Sequence, residues 1–164
     1  MPTEVLQYVL LAALAIALVF AAFTDLRRRQ IDNWLNGAIA LAAPLYWFAS
    51  GLTLWPGVAI QLGVAFAAFV VFAGLFALRM MGGGDVKLLT ALALWVDPTN
   101  FIRLLIIMAL VGGALTIVMG VNHVLRKRKE KLAIPYGVAI ATAGLWIIGT
   151  QYTPVLAQAG ASAG

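Results

Sequence analysis

Long apolar runs separated by short polar connections dominate this sequence and constrain its fold. A helix needs about 20 mostly apolar residues to cross a bilayer, and six segments approach that length, at roughly residues 4–23, 34–50, 58–78, 85–96, 101–122 and 132–150. Only 10% of the residues are charged, against roughly a quarter in soluble domains. We therefore predict an all-α integral membrane protein, a polytopic bundle of about six transmembrane helices. It forms a single domain over residues 1–164, with a short polar tail at 151–164.

The fourth segment, residues 85–96, is shorter than the others and follows three glycines in "GGGDVKLL". At about 1.5 Å per residue, it covers only about 18 Å of a hydrocarbon core roughly 30 Å thick. Either the membrane is thinner there, or the glycine-rich start lies in a recess lined by protein. Both alternatives place Asp85 at or inside the membrane boundary.

The distribution of Lys and Arg predicts the orientation of the bundle. Most of these residues lie in or beside the connections after the first, third and fifth segments: Arg27, Arg28, Arg29, Arg79, Lys87, Arg126, Lys127, Arg128, Lys129 and Lys131. Cytoplasmic loops are enriched in Lys and Arg, so we expect these connections to face the cytoplasm and both termini to be extracytoplasmic. The net charge of +5 then serves orientation and contact with anionic membrane lipid, and we expect no nucleic-acid partner.

The composition narrows the possible chemistry. The chain has no cysteine, which excludes disulfides, thiolate metal sites and a cysteine nucleophile. Its single histidine, His123, makes a histidine-rich metal site implausible. We expect no metal and no cofactor.

Asp25 and Asp85 are the acidic residues least well explained as interfacial charges, helix caps or solvated counter-charges. Each lies against an apolar run on the predicted cytoplasmic side. Ala13, Ala17 and Ala21 precede Asp25 at four-residue spacing, a small-residue stripe that predicts an inward-facing position. The alternatives are an ion pair of Asp25 with a neighbouring arginine and electrostatic capping of a helix by Asp85.

Two carboxylates close together in a partly dry site do not both ionise easily, so one holds a proton while the other stays charged. The charged group acts as a base toward water, and the protonated group acts as an acid toward a peptide carbonyl. The pattern therefore favours an aspartic endopeptidase. Intramembrane acids also occur in proton relays, so a proton-coupled small transporter is one alternative. A non-catalytic subunit of a pilus or secretion assembly is another.

Three stretches resemble the type IV prepilin peptidases, which are GxGD intramembrane aspartyl proteases. "TDLRRRQIDN" (residues 24–33) is similar to their first-aspartate motif, "GGGDVKLL" (82–89) to their GxGD motif, and "IPYGVAIATAG" (134–144) to their last-helix segment. The length and the lack of cysteine resemble the minimal form found with tight-adherence (Tad/Flp) pili. In place of the usual proline of the first motif, this chain has Asp32. Asp32 is expected to cap the second helix, and a second interpretation gives it a role in recognising a basic leader.

The resemblance implies a catalytic pair, Asp25 and Asp85, with supporting residues drawn from the three motifs: Gly82, Gly83, Gly84, Lys87, Arg29, Asn33, Pro135 and Tyr136. It implies a multi-pass protein of the bacterial inner membrane whose active site faces the cytoplasm. The implied substrate is a prepilin or pseudopilin whose short basic leader is cut on the cytoplasmic side, just before a hydrophobic helix. This cleavage serves type IV pilus assembly and protein secretion. Methylation of the new amino terminus and the oligomeric state are left open.

Overall fold

The computed structural model describes residues 2–125 and 134–162, and in these residues the regular elements are all helical. The six α-helices are α1 (Pro2–Arg28), α2 (Asn33–Ala49), α3 (Ala59–Ala77), α4 (Gly83–Ala93), α5 (Pro98–Leu125) and α6 (Tyr136–Ser162). A short π-helical turn, Leu54–Val58, leads into α3. The predicted all-α class is confirmed.

Three stretches are long and apolar enough to cross a membrane: Thr3–Arg28, Leu54–Ala77 and Pro98–His123. A fourth, Tyr136–Thr150, is apolar but shorter. α2 has 17 residues and α4 only 11. Six α-helices are therefore present in the described residues, as predicted. Only three stretches of these residues are long enough to cross a membrane completely. The side on which the termini lie stays a prediction.

The bounds of α1 and α6 differ most from the prediction. α1 continues past residue 23 to Arg28, because basic residues are favourable in the last turn of a helix, where its dipole is negative. Asp25 therefore lies inside the helix. α6 begins at Tyr136, directly after Pro135, and extends to Ser162 through part of the predicted tail.

The predicted start of the sixth helix at residue 132 falls at the edge of a segment, 126–133, that lies outside the described residues. The same segment holds five of the basic residues used to predict the orientation: Arg126, Lys127, Arg128, Lys129 and Lys131.

The short helix α4 lies at the centre of the fold, in contact with α2, α3, α5 and α6. Its side chains Leu88, Leu89 and Leu92 are completely buried. α1 completes the packing against α2 and α6, and α5 packs on α6. A helix surrounded by others on most sides carries apolar residues around most of its circumference, which explains why the α4 sequence resembles a membrane span while being too short for one.

The last carbonyl groups of α4 are satisfied by side chains from other helices. Nε2 of Gln61, in α3, donates hydrogen bonds to the carbonyl oxygens of Ala93 at 2.9 Å and Val96 at 2.6 Å. Nε1 of Trp47, in α2, donates to the carbonyl oxygen of Leu94 at 2.7 Å. The last turn of a helix lacks partners within the helix, and unpaired polar groups are costly in an apolar medium. These bonds allow α4 to end inside the bundle.

Candidate active site

Asp25 lies on the buried face of α1. That face is formed by residues three or four positions apart: Leu11, Leu14, Leu18, Ala21 and Asp25. The side chain of Asp25 is only 5% exposed, so the predicted inward position is confirmed. The alanine stripe that motivated the prediction is only partly buried, however, since Ala13 is exposed. Leucines supply most of the buried face.

Asp85 lies in the first turn of α4, held by the glycine-rich turn before it. A Cβ atom on Gly82 would lie 2.9 Å from Oδ2 of Asp85, and one on Gly84 would lie 3.3 Å from Cβ of Ile31. A Cβ on Gly83 would lie 3.3 Å from the ring of Phe76. The backbone N–H of Gly82 is hydrogen-bonded to the Asp85 carboxyl. Glycine is therefore needed here for close approach.

One open cavity of about 810 Å³ brings the two aspartates together. Eight of the ten residues predicted from the motifs line it: Asp25, Asp85, Gly82, Gly83, Gly84, Arg29, Asn33 and Tyr136. The other two, Lys87 and Pro135, do not line it. Lys87 is exposed and its Nζ donates to Oδ1 of Asn33 at 2.7 Å, which ties α4 to the start of α2. Pro135 is buried immediately before α6, where its fixed φ suits the beginning of a helix.

The start of α6 packs directly over Asp25. A Cβ atom on Gly137 would lie 2.7 Å from Oδ2 of Asp25 and 2.9 Å from Cδ1 of Ile31. The backbone N–H groups of Gly137 and Val138 interact with the Asp25 carboxyl, and the charge of Arg29 acts on it as well. Oδ2 is buried and has no hydrogen-bond partner among the described residues. The third motif thus shapes the pocket of the first aspartate.

The environment of Asp85 favours its protonated form. Burial, and after it the negative charge of Asp25, raises the pKa of Asp85 to about 6, while the bond from Gly82 opposes this shift. The two carboxyl groups are therefore close enough to influence each other. A carboxyl group whose pKa is raised in this way, in the same cavity as a second carboxyl group, suits general acid–base hydrolysis.

The connection between α1 and α2 carries an ion pair at the cavity rim. Nη2 of Arg28 lies 2.9 Å from Oδ2 of Asp32. Asp32 occupies the predicted N-cap position of α2, but its side chain makes no capping hydrogen bond. The capping role predicted for its side chain is therefore wrong, because the carboxylate pairs with Arg28 one helical turn earlier.

Two arginines of the cavity rim have left-handed backbone conformations. Arg29 follows α1 with φ 53°, and Arg79 lies just beyond α3 with φ 59°. Both line the cavity. Left-handed residues often follow the last turn of a helix, where glycine is usual, and non-glycine residues in this region carry strain that tends to concentrate at functional sites.

Two residues that hold the site together were not predicted from the sequence. Asn36 is 4% exposed, and its Nδ2 donates to the carbonyl oxygen of Gly84 at 3.3 Å. Ile31 packs between Gly84 and Gly137, and so between the two aspartate pockets. A sequence signal for Asn36 exists, since it follows Asn33 by three positions and such residues share a helix face.

In residues 2–125 and 134–162, no group of three His, Cys, Asp or Glu side chains lies close enough to hold a metal ion. The polar groups that line the cavity are the carboxyl groups of Asp25, Asp32 and Asp85, two arginines, the side-chain amides of Gln30 and Asn33, and the Tyr136 hydroxyl.

Comparison with curated proteins and with solved structures gave no match. A family model, in contrast, matches a stretch that contains Asp25, the glycine-rich turn and Asp85. That model describes the type IV leader peptidase family and matches residues 12–117, and the chain therefore belongs to this family of proteases.

Proposed function

We propose that this protein is an aspartic endopeptidase that removes the short basic leader of prepilin or pseudopilin precursors at the cytoplasmic face of the bacterial inner membrane. The observation that carries the proposal is the meeting of Asp25 and Asp85, from separate helices, in one cavity beside a glycine-rich turn. Membership of the type IV leader peptidase family supports the proteolytic activity.

In the proposed reaction, one aspartate is charged and the other is protonated. The charged carboxylate takes a proton from a water molecule as the water oxygen attacks the scissile carbonyl carbon. The protonated aspartate gives its proton to the carbonyl oxygen, which forms a neutral gem-diol. The C–N bond then breaks. The aspartate that took the proton from water gives it to the leaving nitrogen, and the other aspartate takes a proton from a diol hydroxyl, which restores one charged and one protonated aspartate. Because the pair titrates as a unit, neither role is assigned to a particular residue.

The glycine-rich turn forms one wall of the cavity in which an extended substrate would lie. Its glycines allow the backbone of the turn to pack closely against Asp85, Phe76 and Ile31. The Asp32 carboxylate lies at the cavity rim, where a basic residue of the leader would compete for it with Arg28. The basic residues around the cavity, Arg29 and Arg79, support its placement on the cytoplasmic side.

The geometry favours a protease over a proton-coupled transporter. A relay across a membrane needs ionisable groups distributed through its depth. Asp25 and Asp85 instead lie together in a single cavity, at the end of α1 and the beginning of α4. A non-catalytic assembly subunit would tolerate the loss of either carboxyl group, which the following experiment tests.

The test is a cleavage assay with purified protein in liposomes and a prepilin that carries a basic leader. Asp25→Asn and Asp85→Asn keep the side-chain shape but cannot exchange the proton, so each is expected to abolish cleavage. Glu4→Gln, at the opposite and exposed end of α1, is the matched carboxyl-to-amide control and should cut normally. Near-normal cleavage by either folded Asn variant would exclude the paired-aspartate mechanism.

A further inference from the structure

A second opening adjoins the catalytic cavity. It is a groove of about 310 Å³ between α2 and α4, with α3 on its third side. We name it the α2–α4 groove; the residues that matter for its function are Asn33, Asn36, Gly37, Phe69, Lys87 and Leu94. One end is polar, with two asparagines and a lysine, and the rest is apolar apart from Thr90, whose hydroxyl is bonded to the carbonyl oxygen of Val86.

Asn33 lines both the groove and the catalytic cavity, so the two openings border each other at this residue, where Nζ of Lys87 bonds to its Oδ1. A smaller apolar groove of about 210 Å³, between α1 and α2, lies against Leu14, Ala17 and Trp95 and shares no lining residue with the cavity. A polypeptide that reaches Asp85 in an extended form can therefore continue past Asn33 into the α2–α4 groove. The polar end lies toward the cavity, so an apolar stretch placed in the groove would begin just beyond the site of cleavage.

Asn36 supplies an unused hydrogen-bond acceptor in this groove. Its Nδ2 is bonded to Gly84, whereas its Oδ1 is buried and without a hydrogen-bond partner among the described residues. An unsatisfied buried polar atom costs about 1–3 kcal/mol. Oδ1 is covered in the free protein, so a peptide N–H of a bound chain would satisfy it once the Asn36 side chain turns toward the groove.

Gly37 keeps the groove open. A Cβ atom at this position would meet no atom within 4 Å, so the absence of a side chain is not required by packing within the chain. The free space next to Gly37 is instead available to an occupant. Ala40, one turn further along α2, extends this small-residue surface.

We propose that the α2–α4 groove binds the apolar segment of the substrate that follows the scissile bond, with Oδ1 of Asn36 accepting a backbone N–H of that segment. This inference rests on the proposed proteolytic function. It adds a surface that would bind a substrate with an apolar segment and would not bind a short soluble peptide.

The first test is site-directed cross-linking. Because the chain has no cysteine, Gly37→Cys introduces a single thiol. In the Asp85→Asn background, which retains uncut substrate, this variant is expected to cross-link to a prepilin with one cysteine in its apolar segment. The control is Gly74→Cys, at another position where a Cβ meets nothing within 4 Å and which does not line the groove. Equal cross-linking at both positions, or none at position 37, would overturn the inference and leave the groove to lipid.

The second test separates the groove from the catalytic site. Gly37→Phe fills the groove and is expected to raise KM for the full prepilin by about tenfold or more, while hydrolysis of a leader peptide without the apolar segment is unchanged. Gly74→Phe should leave both activities unchanged. Unchanged prepilin cleavage by Gly37→Phe, or equal loss on both substrates, contradicts the inference. Failure of the unmodified protein to cut either substrate would instead contradict the proposed function.

Discussion

Replacing Asp85 by asparagine is expected to stabilise the protein at neutral pH while abolishing cleavage. The pKa of Asp85 is raised from 3.8 to about 6 by burial and by the charge of Asp25. The folded state therefore holds its proton more tightly than the unfolded state does. Stability falls as the pH rises through the interval between these two pKa values, because the unfolded state releases its proton first.

The size of this effect follows from the pKa difference. From 3.8 to about 6, at about 1.4 kcal/mol for each pKa unit, the ionised carboxylate lowers the free energy of unfolding by at most about 3 kcal/mol. Asparagine carries no charge at any pH. The variant should therefore match the wild type near pH 4 and exceed it in stability above pH 7.

The assay is reversible unfolding in mixed detergent micelles, followed by tryptophan fluorescence at a series of pH values. The quantity of interest is the difference between variant and wild type, in which the titration of unrelated groups cancels. Asp32→Asn is the matched control, because it breaks only the ion pair with Arg28 near the surface, and such pairs contribute about 0–1 kcal/mol. A stability difference between Asp85→Asn and wild type that does not change from pH 4 to pH 8 would refute the reasoning.

Three further substitutions test the packing around the site. Gly137→Ala places a Cβ 2.7 Å from Oδ2 of Asp25, and we expect a loss of about 1–3 kcal/mol in stability with loss of cleavage; Gly113→Ala, whose Cβ would meet nothing within 4 Å, should instead be neutral or stabilising by up to about 1 kcal/mol. Asn36→Leu removes the bond to Gly84 and should lower kcat for a short leader peptide. Asn36→Asp also lacks the N–H donor and should show the same loss of kcat, whereas a normal kcat in either folded variant would show that the bond to Gly84 is not needed. Gln61→Leu leaves two carbonyl groups at the end of α4 unpaired and should cost about 2–4 kcal/mol in unfolding experiments, while the protein that remains folded cleaves at the normal rate; a selective loss of kcat would show that this end of α4 is coupled to the site.

Much of the candidate site could be predicted from local sequence patterns. The apolar runs predict an all-helical membrane protein, and the brevity of the run after Asp85 predicts either a thinner membrane or a glycine-rich start that lies in a recess. The inward position of Asp25 follows from helical periodicity alone, since residues three and four apart share a face. The glycines before Asp85 predict close approach, and the structure places Ile31, Phe76 and Asp85 itself against them.

The sequence pattern was less informative about charged and polar side chains with more than one possible partner. Asp32 satisfies the requirements of an N-cap, yet its carboxylate pairs with Arg28. Lys87 lies in the same motif as Asp85 but turns away from the cavity to Asn33, because residues two positions apart on a helix do not face each other. Such choices depend on which neighbour is nearer once the helices have packed.

By itself, then, the sequence determined the helical membrane class and the choice of Asp25 and Asp85 as candidate site residues, because both follow from patterns within short stretches of the chain. Only the tertiary structure decided what holds those aspartates in place. Asn36 reaches Gly84 across 48 residues of sequence, and Gln61 reaches Ala93 across 32. Gly137, from the last helix, closes over Asp25 in the first. These contacts join residues that are distant along the chain, and their geometry is fixed by how the helices pack around α4, which no local pattern records.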